Sequence, residues 1–230
     1  MKNIPRIYID QEIEIGKQIP VHKDIAHYLS KVMRTDKCLV FNGGAEFYAK
    51  LENSTLITQD STLRPDPSNN ITLAFSIIKQ SRMEEMLNMA TQLGVARLIP
   101  VITDRVNEKY PKWERIKKII TEAAEQSGRN SIPILENPQK FEEFLMGVKD
   151  KGLGISLIFA DERKTSTTNP QSLIPNPNQN NAVVLVGPEG GFSDAEFECL
   201  DKSSAVGISL GKTILRAEVA AVVALTIVNN

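Results

Sequence analysis

Two glycine-rich turns carry the clearest chemical signal in the chain. The first lies in AVVLVGPEGGFSDAEF, residues 182–197, where an apolar run ends in Gly187-Pro188-Glu189-Gly190-Gly191. The second lies in ISLGKTILRAEVAAVVAL, residues 208–225, where a short apolar run meets Gly211 and is followed by Arg216 and Glu218. A glycine turn at the carboxyl end of a strand lets a ligand approach the backbone, and free amides at the start of the next helix can donate hydrogen bonds to it. Neither turn matches GxGxxG or GxxxxGK[ST], so the fingerprints of nicotinamide enzymes and P-loop proteins are absent. Taken alone, GPEGG is as compatible with a plain turn needing positive φ as with a ligand loop. Arg216 is likewise as compatible with a structural salt bridge as with a substrate contact.

Other reactive residue types are sparse. His22 and His27 titrate near neutral pH in general, but both lie far along the chain from the glycine turns and read as structural. Cys38 and Cys199 belong to neither a CxxC pair nor a Cys/His cluster. The expectation is two buried free thiols and no metal site.

The elements that must position the turns follow from periodicity. To about Pro67 the chain alternates apolar and polar residues in short runs such as RIYI, CLVFNGG and EFYAKL, with Asn42-Gly43-Gly44 suited to a tight hairpin. One helix interrupts this region, with Ile25, Leu29, Val32 and Met33 on one face of KDIAHYLSKVMR. RPDPSNN, residues 64–70, concentrates turn formers and reads as a linker. Buried strands then alternate with amphipathic helices: ITLAFSII, RMEEMLNMATQLG, RLIPVIT, KWERIKKIITEAAEQSG, GISLIFA, AVVLVG, DAEFECLDK, VGISLG and a final helix from about Ala217. That alternation predicts a mostly parallel sheet with helices on both faces. Ser193 and Glu196 have the spacing of a capping box that opens the helix after GPEGG. Residues 165–181, rich in Asn, Pro, Ser and Thr, read as a surface excursion. The last helix is apolar nearly all round, so it must lie in a core or against a partner chain.

A chain of 230 residues, 41% hydrophobic and 24% charged, can bury a core and form one large or two modest domains. Lys and Arg number 27 against 28 Asp and Glu, a net charge of -1, so overall balance selects no nucleic-acid partner and any face that binds one must be local. No apolar run approaches the roughly eighteen residues of a membrane span, and the start lacks the features of a signal peptide. Cytoplasmic residence without a membrane is the expectation.

The strings VGPEGGFSDAE and LGKTILRAE together resemble the paired C-terminal motifs of RsmE-type methyltransferases of the SPOUT class. KQSRMEEMLNMATQLGVARLIPV is similar to that family's first strand-helix-strand unit, and EAAEQSGRNSIP to its middle motif. IPRIYI and HYLSKVMR are similar to its N-terminal domain. Five motifs in the same order cover nearly the whole chain. The resemblance implies an α/β fold whose C-terminal part is tied in a trefoil knot. It also implies a small PUA-like β-barrel, residues 1–68 for RNA binding, ahead of a methyltransferase domain over 71–230. Periodicity alone would lead to an un-knotted doubly wound sheet, because threaded chains are rare.

The same resemblance implies S-adenosylmethionine as cofactor and N3 of a uridine in 16S, small-subunit ribosomal RNA as the methylated atom. The cofactor would lie among Phe159 and Ala160, Val186, Gly187, Pro188 and Gly190, and Leu210, Gly211, Ile214 and Leu215. Apolar walls with backbone donors and acceptors suit such a ligand. The uridine N3 must lose its proton before attack, which calls for a base or for cationic stabilisation of the developing anion. Arg216 is the candidate cation and Glu189 or Glu218 the candidate base, with structural roles as the alternative for the carboxylates. Arg6, Arg34, Lys79, Arg82 and Arg129 match family motifs and as a set form the expected RNA contacts, chiefly to phosphates. The substrate would be the RNA or the assembled small subunit, and two chains would pair through their knots, with no metal. Two departures stand out. Gln92 replaces the family's usual Glu, and Val219 replaces its usual Thr, which removes a hydroxyl at the start of the last helix. Two rival readings are a non-catalytic RNA-binding relative, prompted by Val219, and a transfer-RNA methyltransferase of the same fold.

Overall fold

The computed structural model describes residues 4–67, 69–106, 111–150, 156–164 and 182–229, so the expected excursion at 165–181 lies outside the described residues. The chain divides into two compact units, Met1–Ser68 with Thr121–Ile132, and Asn69–Ile120 with Pro133–Asn230.

In the first unit, strands β1 (Arg6–Tyr8), β2 (Gln18–Pro20), β3 (Lys37–Asn42), β4 (Ala45–Glu52) and β5 (Thr55–Ser61) form one sheet in the order β1-β3-β4-β5-β2. β1 runs parallel to β3 and the other pairings are antiparallel. Gly43 and Gly44, at φ 60° and 95°, make the two-residue β3–β4 hairpin turn that the sequence predicts. Ile7, Ile19, Val40, Ala49 and Leu56 alternate inward to build the core, joined by Leu29.

The expected helix forms as α1 (Lys23–His27) followed by a π-helical turn, Tyr28–Met33. Leu29 is fully buried, but Val32 is 60% exposed, contrary to the face expected for it. The wider π turn shifts the phase of every residue beyond it, which a 3.6-residue reading does not capture. Cys38 is buried, with its thiol pushed up to about 12 by burial, whereas Cys199 is exposed, correcting the expectation of two buried thiols.

Residues 121–132 belong to this unit through a network of buried polar groups. The Arg6 guanidinium donates to the carbonyls of Ala124, Glu125 and Arg129 and to Asn130 Oδ1. Ala124 and Glu125 lie in the last turn of helix α3 (Trp113–Ser127), where carbonyls run short of backbone donors, and Arg6 supplies donors there. Glu46 accepts from Arg6 at 2.7 Å and from Arg64 at 3.0 Å, and Arg64 also donates to Asn130 Oδ1.

In the second unit, β6 (Thr72–Ser76), β7 (Arg97–Ile102), β8 (Ile134–Leu135), β10 (Ser156–Ala160), β11 (Ala182–Val186) and β12 (Val206–Ile208) form a sheet in the order β12-β10-β11-β6-β7-β8. β9 (Gln139–Lys140) also pairs with β7. Every pairing in it is parallel, as the alternating pattern predicts. Ala74, Ile99, Leu157, Phe159, Val183 and Leu185 join one core cluster with α4 (Phe141–Asp150) and α5 (Asp194–Asp201). The intervening Leu73, Phe75, Val184 and Val186 are buried as well. Helix α6 (Ala217–Asn229) packs on β6 and β11, beside α2 (Gln80–Gln92). Helix α4 has no counterpart among the expected elements, although Phe141, Phe144 and Leu145 at i, i+3 and i+4 carry its signal.

Candidate functional site

Because β12, β10 and β11 are parallel neighbours, their carboxyl ends open on one side of the sheet, where α/β folds place ligands. The three loops there, together with Arg82, Ala217 and Ala220, enclose a cavity of about 580 Å³ within the second unit. That volume lies in the roughly 300–1,000 Å³ range of small-molecule sites.

Each loop is held by its own hydrogen bonds. After β10, the Asp161 side chain is only 1% exposed and accepts from Arg163 through both carboxylate oxygens, at 2.9 Å each. Arg163 also bonds Asp201 at 2.8 Å and lies 3.9 Å over the Phe197 ring. Its hydrogen bonds to Asp161 and Asp201 raise its pKa, and in return it holds the Asp201 carboxyl below the usual range.

After β11, Gly191 N donates to Pro188 O at 2.9 Å. The expected capping box closes behind that turn: Ser193 Oγ accepts from Glu196 N, and Glu196 Oε2 accepts from Ser193 N. Glu196, 3% exposed, also accepts from Asp104 N at 2.9 Å through its other oxygen. Gly191 sits at φ 69°, a backbone conformation that favours glycine, and a Cβ there would stand 2.5 Å from Glu162 Oε1, which would have to swing aside. After β12, Ser209 Oγ contacts both the amide and the carbonyl of Gly211.

The ionisable groups on the cavity wall divide into two sets. Glu189 pairs with Arg82 at 3.3 Å, Asp161 is taken by Arg163, and Lys164 donates to Gly207 O at 2.7 Å. Glu162, Lys212 and Arg216 are exposed and have no hydrogen-bond or ion-pair partner among the described residues.

Of the expected cofactor residues, Ala160, Val186, Gly187, Pro188, Leu210, Gly211, Ile214 and Leu215 do line the cavity, as do Glu189 and Arg216. Phe159 does not. The two-residue period of β10 turns it into the core, 2% exposed and edge-on to Phe192. Gly190 also stays off the wall, its carbonyl accepting from Arg105 at 2.7 Å, and Gly191 takes its place. Sequence reasoning missed Glu162 and Lys212, although both stand within a few residues of loops it singled out. Glu218 is 5% exposed, off the cavity wall, and its Oε2 has no hydrogen-bond partner among the described residues.

The expected RNA-contact set separates physically. Arg34, which ends the π turn in the left-handed region, and Lys79, just before α2, are exposed. Arg82 is half-exposed and faces the cavity through Glu189. Arg129 is 1% exposed and the Arg6 side chain 11%, both inside the first unit's polar network, so these two are corrected from phosphate contacts to scaffold. Gln92 bonds Asn88 on its own helix, and Val219 is 41% exposed on α6. Among the described residues no group of His, Cys, Asp and Glu is placed to hold a metal ion, and no helix is long and apolar enough to cross a membrane.

A parallel sheet flanked by helices, with glycine loops converging on one pocket at its strand ends, defines an α/β methyltransferase fold. A model of the RNA methyltransferase domain matches residues 64–229, and the chain belongs to this family, among its ribosomal RNA small subunit methyltransferase E members. The Ribosomal RNA small subunit methyltransferase E of Rickettsia conorii is 33% identical over 96% of this chain and 93% of its own length. That of Buchnera aphidicola from Schizaphis graminum is 30% identical over 98% and 95%. Among solved structures, the Legionella pneumophila methyltransferase Lpg2936, in complex with S-adenosylmethionine, aligns with a TM-score of 0.82 at 28% identity, covering 98% and 97% of the two chains. The Ribosomal RNA small subunit methyltransferase E of Neisseria gonorrhoeae, bound to S-adenosylmethionine, aligns with a TM-score of 0.81 at 27% identity, covering 97% and 96%.

Proposed function

We propose that this chain transfers a methyl group from S-adenosylmethionine to N3 of a uridine in 16S ribosomal RNA, acting in the cytoplasm on the RNA or the assembled small subunit. The observation that carries the reading is the cavity built by the three strand-end loops, with the guanidinium of Arg216 on its wall unpartnered among the described residues. The residues present suit the cofactor, because Val186, Leu210, Ile214 and Leu215 offer apolar surface beside loop backbone that can read an adenine edge. Bound there, S-adenosylmethionine supplies an electrophilic methyl group on a sulfonium.

The protein's part is to orient the uridine and manage its proton. Arg216 lines the cavity with no carboxylate partner among the described residues, so it can stabilise the negative charge that develops on the base. Glu189 is the carboxylate we assign to accept the N3 proton, steadied by Arg82. Arg34, Lys79 and Arg82 are the assigned phosphate contacts, where each cation adds to a salt-dependent affinity. Residues 1–68 would serve as a PUA-like RNA-binding barrel and 71–230 as the methyltransferase domain, tied by a trefoil knot and paired with a second copy.

The test is methyl transfer from labelled S-adenosylmethionine to small subunits from cells lacking the endogenous enzyme, followed by nucleoside analysis. Label should appear as N3-methyluridine and fall about 10²–10³-fold in Arg216→Ala. Label on another nucleoside would overturn the assigned position, and a fully active variant would overturn the role of Arg216.

A further inference from the structure

Glu162 differs from the other carboxylates around the cavity. Asp161 is engaged by Arg163 and Glu189 by Arg82, so each already faces a guanidinium. Glu162 is exposed on the cavity wall with no partner among the described residues, and its Oε1 lies only 2.5 Å from where a Gly191 side chain would begin. The carboxylate therefore rests against the glycine turn that follows β11. Two cations without a partner among the described residues, Lys212 and Arg216, stand on the loop after β12. Among the described residues the wall thus presents one anion and two cations without partners, which is the complement of a zwitterion.

We propose that Glu162 binds the α-ammonium group of S-adenosylmethionine and so selects a cofactor with an intact amino-acid end, an inference that rests on the cofactor assignment above. A carboxylate only accepts hydrogen bonds. Of the two positive centres on the cofactor, the sulfonium has no proton to donate, whereas the ammonium has three. A charge-assisted N–H···O bond is among the stronger polar contacts available, and it favours the ammonium. Lys212, on the same cavity wall, can meet the carboxylate of that amino-acid end and leaves Arg216 for the uridine.

Calorimetric titration of the full chain with S-adenosylmethionine, S-adenosylhomocysteine and 5′-methylthioadenosine tests this without any turnover. The second ligand lacks the sulfonium but keeps the ammonium, and the third lacks the whole amino-acid end. Glu162→Gln should weaken the first two equally, by roughly ten- to hundredfold. It should leave 5′-methylthioadenosine within about twofold of the wild type, and Glu162→Asp should recover part of the loss. A parallel loss for 5′-methylthioadenosine would mean that Glu162 only shapes the pocket, and a loss confined to S-adenosylmethionine would mean that it faces the sulfonium. Either result, or no change at all, overturns the proposal. A wild-type chain that binds none of the three would sink the cofactor assignment itself, whereas wild-type binding with an indifferent variant sinks only the role of Glu162.

Discussion

Glu46 gathers Arg6, Arg64 and Thr62 around one buried carboxylate. Burial alone would raise its pKa, but hydrogen bonds from Arg6 and Thr62 and the charges of Arg6 and Arg64 outweigh it and hold the group below the usual glutamate range. A carboxyl depressed in the folded state contributes stability that is fully present above its unfolded pKa and is lost as pH falls through the lower folded value. Glu125 acts in the opposite sense. Burial raises it, so its contribution is present below the ordinary glutamate range and fades as pH rises through the raised value. Comparing wild type with Glu46→Gln by chemical denaturation across acidic pH isolates the first group. The variant should show a flatter loss of stability just below the ordinary glutamate pKa, and an identical acid limb would refute the coupling. Glu46→Ala at neutral pH should cost about 3–5 kcal/mol, because it leaves the largely buried Arg6 without its anion.

Helix α5 shows how an element fixes a loop. Its capping box satisfies amides at the helix start, and Glu196 ties the same turn to Asp104. Ser193→Ala should lower stability by about 1 kcal/mol, the usual cost of losing such a cap. Glu196→Ala should cost more, since the Ser193 and Asp104 amides both lose their acceptor. Thermal denaturation of the two variants checks the order, and a milder effect of Glu196→Ala would contradict it. Local patterning reads this element well because every group in the box lies within four residues of the next. It reads the turn after α1 poorly, because one π turn rotates Val32 off the face that Leu29 occupies.

At the scale of the whole molecule, α6 buries Ala220, Ala221, Ala224 and Leu225 yet leaves Val219 41% exposed beside the cavity loop. Pairing of two chains through this region would cover that residue. Light scattering should then give twice the chain mass for the wild type and the single-chain mass for Val219→Lys, whereas a monomeric wild type would refute the pairing. The sequence by itself determined the parallel α/β class, the hairpin at Gly43-Gly44, the capping box and the three strand-end loops, because each depends on neighbours close along the chain. Only the tertiary structure decided what each charged or aromatic residue does. Arg6 and Arg129 look like surface cations in a string of letters, but they lie inside a polar network assembled from segments more than a hundred residues apart. Phe159 and Glu162 stand three residues apart, one in the core and one on the cavity wall. The spacing of letters does not show which positive or negative partners surround a side chain. That is settled when distant strands bring their ends together, and there a carboxylate with a guanidinium beside it and one without such a partner among the described residues become different chemical groups.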